Sequence, residues 1–222
     1  MAPDPDLHAL LRSLRVWDVG TLPAFDPSTA PATPLPLFTA WFAEAVAAGQ
    51  VEPHTMSLAT ADEHGLPDVR TVMLHGADEE HGWSFASHSG SGKGRQLTAR
   101  PHAALGFYWP VQGRQIRVRG PVTTAPAEAA QADLHARSTG ALAAALTGRQ
   151  SEPLDSLSDL ASASRAAWER AERHPETPAP TWTLYHLQPD QVEFFQGEAR
   201  RRHVRLVYRR EGGRWERGLL WP

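Results

Sequence analysis

The sequence predicts an antiparallel β-barrel carrying a helical insertion, a mainly β protein of the α+β class. Three observations lead there. Five or six short strand-like runs fall between residues 55 and 120, with tight turns and few helices between them. An alanine-rich helical block, Ala127 to Arg173, follows. Strand-like runs then return after Trp182; they cannot form a complete sheet alone, so they finish the first barrel.

Taken in order, residues 1–35 read as an arm, with a short helix over Leu7 to Leu14 and then a Pro/Ala/Thr-rich stretch that holds no regular element for long. The domain proper is 36–222. Its first helix runs from Pro36 to Gly49, with Leu37, Phe38, Trp41 and Ala45 on the apolar face and Gly49 as C-terminal cap. Thr55–Ala61 alternates, and DEHG turns it into Leu66–Leu74. Trp83–Ser87 and Ala103–Trp109 are further strands. In Arg114–Gly120, Ile116 and Val118 face one way and Gln115, Arg117 and Arg119 the other. The helical insertion, about 127–173, breaks at Thr139-Gly140 and at Ser151-Glu152-Pro153. Ser156 with Asp159 forms a capping box for the last helix, which carries Leu157, Leu160 and Trp168. After a proline-rich linker come Trp182–Leu187, Gln191–Phe195, His203–Arg209 and Arg214–Leu219.

Composition narrows the function classes. The chain has 222 residues and a formal net charge of −3, which gives no general affinity for nucleic acid. There is no cysteine, so disulfides, thiolate catalysis and cysteine-ligated zinc are excluded. No apolar run approaches the ~18 residues of a membrane span, and MAPDPDLHALL lacks the order of a signal peptide. The expectation is a soluble, cytoplasmic protein without nucleic-acid or membrane partners.

Two stretches carry chemistry. The first is RTVMLHGADEEHGWSFASHSGSGKGRQ, residues 70–96. Two strands joined by a charged loop lead into a Gly/Ser run with Lys93 and then a helix. Helix-start amides and close-approaching glycines make such a turn a phosphate cradle. It is neither a Walker A loop, since Lys93 is followed by Gly94, nor a Rossmann fingerprint, since Arg95 stands at the third glycine. The bland alternative is a solvated Gly/Ser loop. The second stretch is EARRRHVR, Glu198 to Arg205. If extended, it places Arg201, His203 and Arg205 on one face, suited to a small anion. A charged edge strand explains it about as well; RNA binding explains it less well.

From about Pro36 onward these stretches and others resemble the pyridoxine/pyridoxamine 5′-phosphate oxidases: ATADEHGLPDVRTVML (59–74), SGSGKGRQL (89–97), GRQIRVRG (113–120), RQSE (149–152), VEFFQG (192–197), the Arg201-x-His203-x-Arg205 run and the end from Trp215 to Pro222. The resemblance implies an FMN-binding split β-barrel and a homodimer. It implies FMN contacts from Arg70, Thr71, Val72, Met73, Leu74, His75, Ala86, Ser87, Lys93, Gln115, Gln150, Ser151, Phe195 and Arg205, some reaching across the dimer interface. It further implies a substrate side of His75, Arg137, Arg201 and His203, with Arg201 and His203 as the catalytic pair and Arg137 on a substrate phosphate. No metal is implied. The implied reaction is FMN-dependent oxidation of pyridoxamine or pyridoxine 5′-phosphate to pyridoxal 5′-phosphate, with O2 reduced to H2O2.

The chain departs from the family pattern at particular residues. His75 replaces a lysine, Asp133 a tyrosine, Ala141 a serine, Gly92 an arginine before Lys93, and Leu219 the arginine of the usual ending; Phe195 replaces a tryptophan. The losses gather on the substrate-phosphate side. They leave open a same-fold FMN oxidase of another small molecule, of the phenazine-biosynthesis type, or a flavin-binding protein without catalysis.

Overall fold

The structure, a computed structural model, describes residues 6–15 and 22–222. Its helices are α1 (Leu7–Ser13), α2 (Pro34–Ala47), α3 (Gly92–Ala99), α4 (Ala127–His135), α5 (Thr139–Thr147) and α6 (Leu157–Arg173). Its strands are β1 (Thr55–Ala61), β2 (Pro67–Met73), β3 (Gly76–Asp78), β4 (Gly82–His88), β5 (His102–Trp109), β6 (Arg114–Thr124), β7 (Trp182–Leu187), β8 (Gln191–Gln196), β9 (Val204–Glu211) and β10 (Arg214–Leu220).

Every strand pair is antiparallel. The main path runs β10-β9-β8-β6-β5-β1-β2, and β3-β4-β7 joins it through β6. The long β6 is the pivot. Its first half, Arg114 to Arg119, pairs with β8, and Val122 to Thr124 pairs with β7. One strand therefore serves both wings, which curl around a shared core. This also explains why the late strands need the early ones: β7 docks on β4 and β8 on β6, so neither wing closes without the segment after residue 182.

The alternation in β6 has a physical outcome. Ile116 and Val118 are fully buried, while Arg117 and Arg119 are exposed. The core is aromatic: Phe38, Trp41, Trp83, Phe85, Phe107, Trp109, Phe194 and Tyr208 are all buried. Each such side chain stabilises the fold by about 1.5–3 kcal/mol or more on area grounds. Phe38 meets Trp83 and Phe107 edge to face, at centroid distances of 5.3 and 5.2 Å. Arg114, on the inward side of β6, lies 4.1 Å over the Trp41 ring and donates to Glu44 at 2.6 Å. It pins α2 to the sheet.

Three details lie beyond the sequence reading. The charged loop after Leu74 contains a short strand, β3, paired with β4; three residues are too few for alternation to reveal. The arm is fixed to the domain from Leu22 onward, where Phe25 packs on Trp41 and Tyr208 donates to the Pro31 carbonyl at 2.8 Å; residues 1–5 and 16–21 lie outside the described residues. Leu157 and Trp168 of α6 stay exposed, and the helix buries Ala167 and Ala171 instead.

Candidate functional site

β2, β4, the start of α3 and the α5–α6 connection line an open cavity of about 740 Å³. Arg70, Thr71, Val72, Met73 and His75 line it from β2 and its extension, Ala86 and Ser87 from β4, Lys93 from α3 and Gln150 from the connection. Leu74 differs from its neighbours: it packs against the core. Gly94 is required where α3 starts, because a Cβ there would meet the Ser89 carbonyl oxygen at 2.1 Å. Ser91 caps the helix, accepting from the Gly94 amide.

Lys93 is the cation with neutral company. Its Nζ donates to Ser87 Oγ at 3.1 Å and Gln150 Oε1 at 3.4 Å. Among the described residues no carboxylate lies within ion-pair distance of it. Burial, joined by the Arg70 charge, pulls its pKa below the ordinary lysine value despite Asp68. A half-buried ammonium without a counter-ion, beside a helix start, fits a phosphate dianion. Arg70 is less free, since its guanidinium donates to Thr60 Oγ1 at 2.6 Å and Gln96 Oε1 at 2.9 Å and pairs with Asp68. Ser151 does not line the cavity. Its Oγ accepts from the Gly92 amide at 3.2 Å, and its φ of 70° is left-handed. That bond ties the α5–α6 connection to the start of α3.

Another part of the wall is ringed rather than charged. His75 and Trp182 line it, their rings 6.2 Å apart and tilted by 30°, and His88 meets the indole edge-on at 6.2 Å. Behind them stands Asp133. Its carboxylate accepts from Arg137 Nε at 3.1 Å and a terminal Arg137 nitrogen at 2.7 Å, from His75 Nδ1 at 3.2 Å and from Trp182 Nε1 at 3.3 Å. Burial raises its pKa, but the hydrogen bonds and charges of His75 and Arg137 outweigh burial and hold it well below the carboxylate range. Burial also lowers the His88 pKa, opposed by a backbone bond at Ala144 and helped by Lys93.

The remaining expected residues lie elsewhere on the chain. Gln115, Phe195 and Arg205 line a smaller cavity of about 220 Å³ with Arg117, Glu193 and Pro222. The two cavities share no lining residue. Glu193 is buried and takes Arg205 Nε at 2.8 Å and the Arg117 guanidinium. Arg205 also donates to the Trp221 carbonyl at 2.9 Å.

Arg201 and His203 are not on a strand, which corrects the extended reading of EARRRHVR: β9 begins only at Val204. The cause is Glu198. Its Oε2 accepts from the Arg200 and Arg202 amides at 3.0 and 3.1 Å, and its own amide donates to His203 Nδ1 at 3.0 Å. The loop so closed holds Arg201 at φ 66° and sets the His203 ring 5.1 Å from that of Phe195. Local side-chain capture of amides has displaced the strand.

His88, Trp182 and Glu198 were not expected as binding or positioning residues, and Asp133 was expected only as a replaced tyrosine on the substrate side, not as the hub of a network. For Asp133 a signal existed, since Asp133 and Arg137 stand four apart on a helical run. Nothing local marks Trp182 or His88, which the β4–β7 pairing brings together.

Comparison with known proteins adds context. A family model described as pyridoxamine 5′-phosphate oxidase matches residues 42–195, and one described as pyridoxine 5′-phosphate oxidase C-terminal dimerisation region matches residues 182–222. The chain is 40% identical over 189 residues to a pyridoxine/pyridoxamine 5′-phosphate oxidase of Rubrobacter xylanophilus, covering 85% of this chain and 87% of that one. It is 41% identical over 196 residues to the protein of that name in Azotobacter vinelandii, covering 87% and 90%. Among solved structures it resembles PhzG from Burkholderia lata, determined with tetrahydrophenazine-1-carboxylic acid, at a TM-score of 0.85 and 29% identity over 91% of this chain and 100% of that one. A pyridoxamine 5′-phosphate oxidase-related, FMN-binding protein of Nostoc punctiforme has the same fold, at a TM-score of 0.70 and 22% identity over 87% and 100%.

Proposed function

The chain belongs to the pyridoxamine 5′-phosphate oxidase family of FMN-dependent oxidoreductases, and from that premise we propose that it oxidises pyridoxamine or pyridoxine 5′-phosphate to pyridoxal 5′-phosphate, with O2 reduced to H2O2. The observation that carries the cofactor side is Lys93, half-buried in a 740 Å³ cavity with only neutral acceptors around it. Lys93, Ser87 and Gln150 would hold the FMN phosphate, and the Thr71–Met73 backbone would run along the ring system. When bound, FMN supplies the two-electron acceptor that no side chain of this protein provides. The protein contributes orientation, exclusion of water by the α5–α6 connection, and hydrogen-bond donors from Arg201 and His203 toward the substrate.

Division of the expected site between two cavities supports a homodimer, with Gln115, Phe195 and Arg205 of one protomer completing the large cavity of its partner. The exposed apolar side chains Val69 and Met73 on β2 beside that cavity fit a protein interface. Light scattering should give a dimer, and FMN bound tightly to a monomer at micromolar concentration would rule this arrangement out. No helix among the described residues is long and apolar enough to cross a membrane.

A second reading has one observation in its favour. Arg137 is already paired with Asp133, which suits oxidation of another flat ring, as in the phenazine type. Anaerobic bleaching of the flavin absorbance separates the two. Pyridoxamine 5′-phosphate should bleach it within seconds, and air should restore it with release of one peroxide per cycle. No bleaching by this compound, with bleaching by a reduced carboxylated heterocycle, would favour the second reading.

A further inference from the structure

We propose that Asp133 decides what the ringed wall of the cavity accepts: from behind that wall it engages both Arg137 and His75, so the site discriminates only weakly between phosphorylated and unphosphorylated rings. The proposal rests on the reading above, that the cavity holds FMN and a ring substrate, and deepens it by naming the substrate class. That class is a flat amine- or alcohol-bearing ring, with or without a phosphate.

The geometry is specific. One carboxylate, only 14% exposed, accepts both Arg137 nitrogens, His75 Nδ1 and Trp182 Nε1. A bidentate guanidinium–carboxylate pair is the strong form of this contact; Arg137 and Asp133 stand behind the lining residues, so a phosphate that reached Arg137 would have to compete with a built-in anion. The same carboxylate holds His75 by its Nδ1 and so fixes the orientation of that ring on the wall. The rest of this wall is the Trp182 indole and the buried His88 ring, which offer flat apolar faces. Lys93 shows the contrasting arrangement in the same cavity, a cation left without a carboxylate.

The test uses FMN-loaded protein and three probes read by perturbation of the flavin absorbance: pyridoxal 5′-phosphate, pyridoxal and inorganic phosphate. In the unaltered protein, pyridoxal 5′-phosphate should bind less than about tenfold more tightly than pyridoxal. Asp133→Asn, which keeps the shape and removes the charge, should raise that preference roughly tenfold through tighter phosphate binding. It should strengthen competition by inorganic phosphate to a similar degree. The gain should vanish in Asp133→Asn/Arg137→Gln. Asp133→Ser serves if the asparagine variant folds poorly, with FMN content and circular dichroism as the check. An unchanged preference in a folded, FMN-loaded Asp133 variant would overturn the proposal. So would a fall, which would mean that Asp133 orients Arg137 onto a phosphate. The inorganic-phosphate arm needs no vitamin ring, so absence of turnover with pyridoxamine 5′-phosphate refutes the substrate reading alone.

Discussion

Lys93 and Arg205 are both basic residues on cavity walls, and their surroundings are opposite. Lys93 faces a hydroxyl and an amide. Arg205 brings its own counter-ion, the buried Glu193, and a second bond to the Trp221 carbonyl. A cation without a carboxylate is available to a bound anion; a cation clamped by one shapes the wall. Asp133 repeats the clamped arrangement behind the wall of the large cavity. Basic residues in this fold therefore divide by their partners rather than by their charge.

The strongest test of that division is removal of the free cation. Lys93→Ala should weaken FMN about 10- to 150-fold, the equivalent of ~1.5–3 kcal/mol for one charge-assisted contact. Thermal stability without FMN should hardly move, because Lys93 sits among polar groups at the start of α3. Equilibrium dialysis of Lys93→Ala and Arg205→Ala side by side decides it: if Arg205→Ala releases more FMN, the contrast is inverted.

Removing a clamp should act on stability instead. Glu193→Gln leaves Arg117 and Arg205 against a buried neutral amide, at a cost of about 2 kcal/mol at pH 7. Burial raises the Glu193 pKa, but bonds from Arg205 and Arg117 dominate and lower it below 4.5. A depressed folded-state pKa makes its contribution full above the ordinary value and lost as pH falls through the folded one. Urea midpoints of the two proteins should therefore lie far apart at pH 7 and draw together below pH 4.5. A gap that stays constant with pH would show that Glu193 acts through packing alone.

How far the sequence revealed this is clear from where it misled. β6 was legible because burial of Ile116 and Val118 imposes a period of two over many residues. The capping box at Ser156 was legible because it is local, and Ser156 does accept from the Asp159 amide. In EARRRHVR the same logic failed, since a single Glu198 side chain outweighed the extended preference of its neighbours. The identity of the residues in each cavity came from ordered motifs; their separation into two cavities depends on long-range strand pairing. The Asp133 network joins α4, β7 and the turn after β2, and no window of sequence contains all three.

Glu198 is a clamp on backbone rather than on a cation, so its effect should be smaller. Glu198→Ala frees the Arg200 and Arg202 amides and should slow flavin reduction about tenfold with FMN affinity kept, because Arg201 then leaves its left-handed conformation. Glu198→Gln retains an acceptor oxygen and should recover most of the rate. Stopped-flow reduction by pyridoxamine 5′-phosphate measures both; equal rates in all three proteins would remove Glu198 from a positioning role.

The smallest effect should come from Ser151, a neutral partner beside the free cation. Its φ of 70° costs a non-glycine residue about 1 kcal/mol, and its Oγ bond to the Gly92 amide returns a similar amount. Ser151→Ala keeps the strain and loses the bond, so it should destabilise by about 1 kcal/mol. Ser151→Gly loses both and should fall within about 0.5 kcal/mol of the unaltered protein. Neither should weaken FMN more than about threefold, since Lys93, Ser87 and Gln150 still face the cavity. Thermal unfolding of the FMN-free proteins ranks the two variants. A glycine variant as unstable as the alanine variant would mean that the hydroxyl bond, not the backbone shape, holds the α5–α6 connection. A large loss of FMN in either would mean that the connection contributes to anion binding as much as the charge does, and would erase the difference between Lys93 and the clamped arginines.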